Sequence, residues 1–392
     1  MMNFTSCELL NDYEYLYSLT SKRNGSNPLP SLANLSRQLL NCNTGKLFAY
    51  WLISYPPIPN WIHYTVGSFM IFVMIIGVSG NVIAFWIFSS TKSLRTPSNL
   101  LLLNLVFSDS MILLSNCPLS IIAIFRKNWY LKDLGCNFYG FTGGLFGLLS
   151  INTIASIACD RAFVIVNSLK VKKINYKQAI FIIILIWSYC LFWCLLPLGA
   201  WSSYVFEGPL TSCTINYVSR DKSTISYALC LFIFCFLTPL SIITISYIII
   251  FRTIFMKNKK ITLQLNRNSA SRHLVHPRGY ALNIKIAKMS IYLLIGFLVA
   301  WGPYASLLVI SLIGKTSIIT PIVTLFPAMF AKTSAVYNPF IYAFTYQNYK
   351  KALLRKFEYS WCKNYLKNDN LLGFSQLSHS KIRSTIHRNT AL

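Results

Sequence analysis

Residues 319–345 read ITPIVTLFPAMFAKTSAVYNPFIYAFT. The run is apolar over a length that crosses a bilayer, because about 20 mostly apolar residues in a helix span the hydrocarbon core. It holds no acid and a single base, Lys332, with 13 residues on either side. At about 1.5 Å of rise per residue the ammonium lies roughly 20 Å from either face, too deep for easy snorkelling. Pro327 and Pro339 interrupt the run, which is tolerated where neighbouring helices satisfy the freed backbone groups. A helix that a membrane accepts, carrying a charge that a membrane rejects, requires other helices around it.

Six more such runs lie upstream, near 62–89, 99–125, 134–166, 178–200, 224–255 and 284–312. The third is the least apolar and the richest in Gly and Ser, and small residues there allow close helix packing. The composition agrees: 54% hydrophobic and 12% charged, against about 25% charged for a soluble domain. The expected fold is all-α, a seven-transmembrane helix bundle with a short amphipathic eighth helix. Residues 1–50 are polar and lack the apolar core of a cleaved signal peptide, so the first span is expected to direct insertion. A transporter would be expected to show repeats and broken half-helices, and neither is visible.

The formal net charge is +26. Nucleic-acid binding is the usual rival explanation for a basic chain, but here the bases cluster between apolar spans. One set of loops and tails holds 25 of the 36 Lys and Arg, and the opposite set holds ten. The richer side is expected to be cytoplasmic, which leaves the N-terminus outside. Three glycosylation triplets, at Asn3, Asn24 and Asn34, fall in that outer tail. The expected divisions are an extracellular tail over 1–61, the bundle over 62–345, an amphipathic juxtamembrane helix over 346–361 and a cytoplasmic tail over 362–392.

Most of the 11 cysteines lie within spans, where they read as small buried apolar residues. Cys136 and Cys213 differ. They sit at the outer end of span 3 and in the outer loop before span 5, a compartment in which a disulfide is chemically allowed. Cys362 follows the basic amphipathic stretch after span 7, where palmitoylation is common. No cysteine or histidine cluster has metal-ligand spacing. Ionisable groups within spans are few and each is a functional hypothesis: Asp109 in span 2, Asp160 and Arg161 at the inner end of span 3, and Lys332. For Lys332 two solutions are open. It is paired with a carboxylate or faces a water-filled cavity, or its amine is kept neutral by burial and condenses with an aldehyde.

Motifs then occur one per helix: Gly80-Asn81, Asn104 to Asp109, Asp160-Arg161, Trp187, Pro239 with Tyr247, Phe297 to Trp301-Gly302-Pro303-Tyr304, and Asn338-Pro339 with Tyr342. The set resembles the rhodopsin class of G-protein-coupled receptors. Within it, Phe330-Ala331-Lys332-Thr333-Ser334-Ala335 looks like the retinal-attachment segment of opsins. The loop Trp201 to Cys213 and the segment Lys92 to Asn99 are similar to those of invertebrate rhabdomeric opsins. The likeness covers roughly residues 60–355 and leaves both tails unmatched.

The resemblance implies a light-activated receptor with 11-cis-retinal held on Lys332 as a protonated Schiff base. It implies Glu207 as counterion, because the position three residues after Cys136, a Glu in many vertebrate visual opsins, is Tyr139. Tyr139 is then a hydrogen-bonding neighbour, and a Cys136–Cys213 bridge holds the loop over the chromophore. Matching positions imply a slot lined by Gly143, Gly144, Gly147, Ile215, Tyr217, Phe236, Trp301, Tyr304 and Ala328. On the inner side Asp160, Arg161, Tyr247, Asn338, Pro339 and Tyr342 form the G-protein switch, and Asn81 and Asp109 join Asn338 in a polar network. The implied partners are a Gq-type heterotrimeric G protein, arrestin, a receptor kinase and membrane lipid; no enzymatic role is expected. The sequence departs from the family at Ala162, where Tyr is usual, and at Tyr346-Gln347-Asn348, where rhabdomeric opsins carry His-Pro-Lys. The rivals are a receptor for a diffusible ligand and a retinal photoisomerase. Gly143 stands where an amine receptor needs Asp, which argues against amines.

Overall fold

The computed structural model describes residues 58–167, 174–199, 201–208, 210–267 and 277–358, limited to the backbone over 258–267 and 277–286. Asn3, Asn24, Asn34 and Cys362 lie outside the described residues. Seven long helices run in chain order: α1 Asn60–Ser90, α2 Pro97–Arg126, α3 Lys132–Val166, α4 Tyr176–Leu195, α5 from Lys222 to Arg267, α6 Pro277–Leu312 and α7 Pro321–Thr345. A further helix, α8, covers 347–358. The helix starts are written in local chemistry. Thr96 accepts the Asn99 amide at the head of α2, with Pro97 in the first turn. Asn175 and Gln178 form a reciprocal capping box on α4, Asp221 caps α5, and Thr320 caps α7 ahead of Pro321. Each cap satisfies backbone donors that a helix start leaves unpaired.

Six of these helices are long and apolar enough to cross a membrane, namely α1 to α6. The seventh is not among them: its 25 residues include Lys332, Asn338 and three prolines. Its inward side is instead covered by protein, with Leu325 and Met329 packed against Val66, Met70, Val73 and Ile112 of α1 and α2. Helix α3 is the axis of the bundle, as its small residues suggested. In its most apolar stretch 72% of residues are buried, against 22% in that of α5.

Two features modify the all-α expectation. The loop between α4 and α5 forms an antiparallel hairpin, β1 Tyr204–Glu207 and β2 Ser212–Ile215, with Phe206 opposite Cys213 and Glu207 opposite Ser212. Its turn uses Gly208 at a φ of 64°, a left-handed conformation that costs glycine little. The hairpin is buried rather than solvated. The second feature is a π-helical stretch in α5, Leu231–Leu237, just before Pro239. Proline has no amide hydrogen to donate, and a wider turn accommodates that gap. The wide turn also presents Phe232, Cys235 and Phe236 to the interior cavity.

Candidate ligand site around Lys332

An interior cavity lies among α3, α5, α6, α7 and the hairpin. One wall is a run of glycines on α3, Gly140, Gly143, Gly144 and Gly147, which recur at helical spacing on one face. The opposing side chains use the space that their missing Cβ atoms leave. A Cβ on Gly147 would lie 2.5 Å from Trp301, one on Gly140 2.3 Å from Tyr204, and one on Gly143 2.9 Å from Asn116. Trp301 is in turn fixed from behind. It stacks on Phe297 at a centroid distance of 5.7 Å, and its Nε1 donates to Ser334 Oγ at 3.1 Å.

Lys332 lines the cavity and is 7% exposed. Its Nζ donates to Ala328 O at 2.9 Å and stands 5.3 Å from the centre of the Tyr139 ring. Glu207 lines the same cavity and is 1% exposed. It makes no direct ion pair with Lys332. The Tyr217 hydroxyl donates to Glu207 at 2.8 Å. Burial pushes the Glu207 carboxyl up from 4.5 to about 7, against the opposing pull of the Tyr217 bond and the Lys332 charge. Removing a carboxylate from water disfavours its charged form, while a donor and a nearby cation favour it.

Of the residues expected to line the slot, Gly143, Gly144, Gly147, Ile215, Phe236, Trp301, Tyr304 and Ala328 do so, together with Lys332, Glu207 and Tyr139. Tyr217 does not. It stands behind the wall, holding Glu207 and meeting Tyr304 edge-on at 6.2 Å. The Cys136–Cys213 disulfide is formed, linking α3 to β2 across 77 residues. A second tie, a hydrogen bond between the Thr214 and Tyr304 hydroxyls, joins β2 to α6.

Below the cavity Asp109 accepts hydrogen bonds from Asn338 at 2.6 Å and Ser150 at 3.1 Å. Asn81 does not reach Asp109; its amide donates to Ala335 O at 2.7 Å and so joins α1 to α7. At the inner end Arg161 pairs with Asp160, and the Tyr247 hydroxyl donates to Ala287 O at 3.2 Å. Tyr342 packs edge-on against Phe88 at 5.5 Å, and its hydroxyl has no hydrogen-bond partner. Ala162 is buried among Ile165, Ile250 and Ala287.

Reading the sequence missed Asn116, Ser120, Ser150, Thr214, Cys194 and Cys235. Asn116 donates to Tyr139 O at 2.9 Å, Ser120 meets the Tyr139 hydroxyl at 2.6 Å, and both thiols line the cavity. A signal existed for two of them. Asp109, Asn116 and Ser120 are seven and four residues apart, one face of a helix. The thiols are indistinguishable from packing residues without the fold.

An amine and a carboxyl in one apolar cavity suit an apolar ligand with an aldehyde terminus. The family model described as 7 transmembrane receptor (rhodopsin family) matches residues 80–342. A rhodopsin from Enteroctopus dofleini is 35% identical over 316 residues, 80% of this chain and 69% of that protein. A protein named "Rhodopsin, GQ-coupled" from Mizuhopecten yessoensis is 32% identical over 346 residues, 85% of this chain and 68% of that one. The chain thus spans about two thirds of the length of these relatives. The crystal structure of squid rhodopsin superposes with a TM-score of 0.75 at 35% identity, covering 79% of this chain and 89% of that one. An opsin-like chain with this helix order and this match belongs to the rhodopsin family of seven-transmembrane receptors.

Proposed function

We propose that this protein is a light-activated G-protein-coupled receptor carrying 11-cis-retinal on Lys332. The observation that carries the reading is one buried primary amine, Lys332, lining an apolar interior cavity that it shares with one buried carboxyl, Glu207. Retinal, joined to Lys332 as an imine, supplies the light absorption and the change of shape. The residues of the chain do the rest. Glu207 provides negative charge in a site with no other carboxyl among the cavity-lining residues, and the Tyr139 ring stands beside the nitrogen. The hairpin, tied to α3 by the disulfide and to α6 by Thr214, closes the outer side against water. Trp301 stands against Gly147 near the Pro303 interruption of α6. A ligand changing shape there would press on Trp301 and favour one of two helix arrangements.

On the inner side Asp160, Arg161, Tyr247, Asn338, Pro339 and Tyr342 form the switch that opens toward a heterotrimeric G protein. Gq is the favoured subtype because a similar scallop protein is named for that coupling. Arrestin and a receptor kinase follow as partners of such a receptor. The chain sits in the plasma or a photoreceptor membrane with its N-terminus outside, glycosylated at Asn3, Asn24 or Asn34 and lipidated at Cys362.

The test is reconstitution of the purified full chain with 11-cis-retinal. A visible band should form, and Lys332→Ala should abolish it. Borohydride reduction followed by peptide mass should place the added mass on Lys332. An unmodified Lys332 peptide ends the photoreceptor reading.

A further inference from the structure

On the α2 side of Lys332 lies a second, smaller cavity with room for about one water molecule. Ser120, Thr211, Ser212 and Lys332 are its polar lining. Helical serines ordinarily turn back to a carbonyl in the preceding turn, as Ser108, Ser110 and Ser115 do on α2. Ser120 does not. It is 3% exposed, and its Oγ reaches across to the Tyr139 hydroxyl on α3 at 2.6 Å. The Tyr139 ring stands beside the Lys332 amine, its centre 5.3 Å from Nζ. On the far side of the small cavity the Ser212 hydroxyl makes no hydrogen bond of standard length.

A hydroxyl has one hydrogen to give and two lone pairs to receive with, so this row of groups has two consistent directions. With a charged nitrogen, Lys332 donates to Tyr139, Tyr139 to Ser120, and Ser120 into the cavity. With a neutral nitrogen every bond reverses: Ser120 donates to Tyr139 and Tyr139 to the nitrogen. We propose that Ser120 is a positioning residue for Lys332, setting the direction of the Tyr139 O–H so that one buried site accommodates both protonation states of the nitrogen. The water-sized cavity gives Ser120 somewhere to donate in the first arrangement. Loss of Ser120 harms that arrangement more, because the Tyr139 hydrogen is left without an acceptor, whereas in the second only a lone pair goes unused. The inference rests on Lys332 being the reactive amine, and the test separates it from the retinal reading.

The test uses the ligand-free full chain. Reductive methylation of Lys332 by formaldehyde and cyanoborohydride, read by peptide mass, reports how often the amine is neutral. Ser120→Ala should speed methylation at neutral pH by about fivefold, the weight of one ordinary hydrogen bond. Ser120→Thr should restore the rate. In a Tyr139→Phe background Ser120→Ala should add nothing, because the coupling runs through the phenol. An undiminished effect without the phenol, or no effect with it, overturns the proposal. So does an amine that stays unreactive at every pH up to about 10, near the free-lysine value. A wild-type chain that shows the coupling but forms no visible band with retinal removes the chromophore reading and leaves the hydroxyl relay standing.

Discussion

Lys332 and Glu207 divide between them the chemistry of the site. The amine is covered by Tyr139 and by its own helix, while the carboxyl is held by Tyr217 at 2.8 Å in a hairpin that excludes water. Burial raises Glu207 to about 7, so the folded protein holds a proton that the unfolded chain, at an ordinary 4.5, has released. In that window the native state binds more protons than the unfolded state, and stability falls as pH rises. The ligand-free receptor is therefore expected to be most stable below about pH 5 as far as this group is concerned, and to lose up to about 3 kcal/mol by pH 8. Thermal unfolding of wild type and Glu207→Gln across this range checks it: the variant should lack the pH-dependent component. In the retinal-loaded protein the same substitution removes negative charge near the nitrogen. It should lower the pH at which the visible band is lost by about one unit or more. An unmoved midpoint would assign the counterion role elsewhere.

At the scale of elements, the cavity exists because three local irregularities coincide. The α3 glycines remove side chains from one wall, the π-helical stretch of α5 turns Phe232 and Phe236 inward, and the hairpin seals the outer end. The glycine wall is the most sensitive of these. A methyl on Gly147 meets Trp301 at 2.5 Å, and the indole is held by Phe297 and Ser334. Gly147→Ala is expected to displace Trp301, costing about 1–3 kcal/mol by overpacking and slowing pigment formation by about fivefold or more, since about 1.4 kcal/mol is tenfold. The time course of the visible band after addition of retinal measures it, and an unchanged rate would show that Trp301 yields freely.

Over the whole molecule, the disulfide-tied hairpin and the Asp160–Arg161 pair lie at opposite ends of α3. Breaking Asp160–Arg161 should release a restraint on the inner end. Asp160→Asn is expected to raise dark G-protein activation several-fold, read as nucleotide exchange on a Gq-type protein in membranes. Unchanged dark exchange would mean that the pair, in a chain with Ala162 beside it, does not hold the resting state. Orientation has its own check. Glycosidase treatment should shift the receptor on a gel, and triple Asn3→Gln, Asn24→Gln, Asn34→Gln should abolish that shift. No shift in wild type would count against an outer N-terminus.

Hydropathy and loop charge alone determined that this chain is a multi-pass membrane helix bundle, because the cost of burying backbone and charge in lipid depends on composition and not on tertiary contacts; six helices meet that measure by themselves, and the seventh is covered by its neighbours. The depth of Lys332 in its span was legible for the same reason, although the aldehyde proposed for it was favoured over a carboxylate partner only through family likeness. Only the tertiary structure decided that Tyr217 supports Glu207 instead of facing the cavity, and that Asn81 bonds the α7 backbone rather than Asp109. It also decided that the α4–α5 loop is a buried hairpin and that Ser120 turns toward α3. These depend on which side chain meets which across helices far apart in sequence. A periodicity reports the face of a helix that turns inward, but not what it finds there.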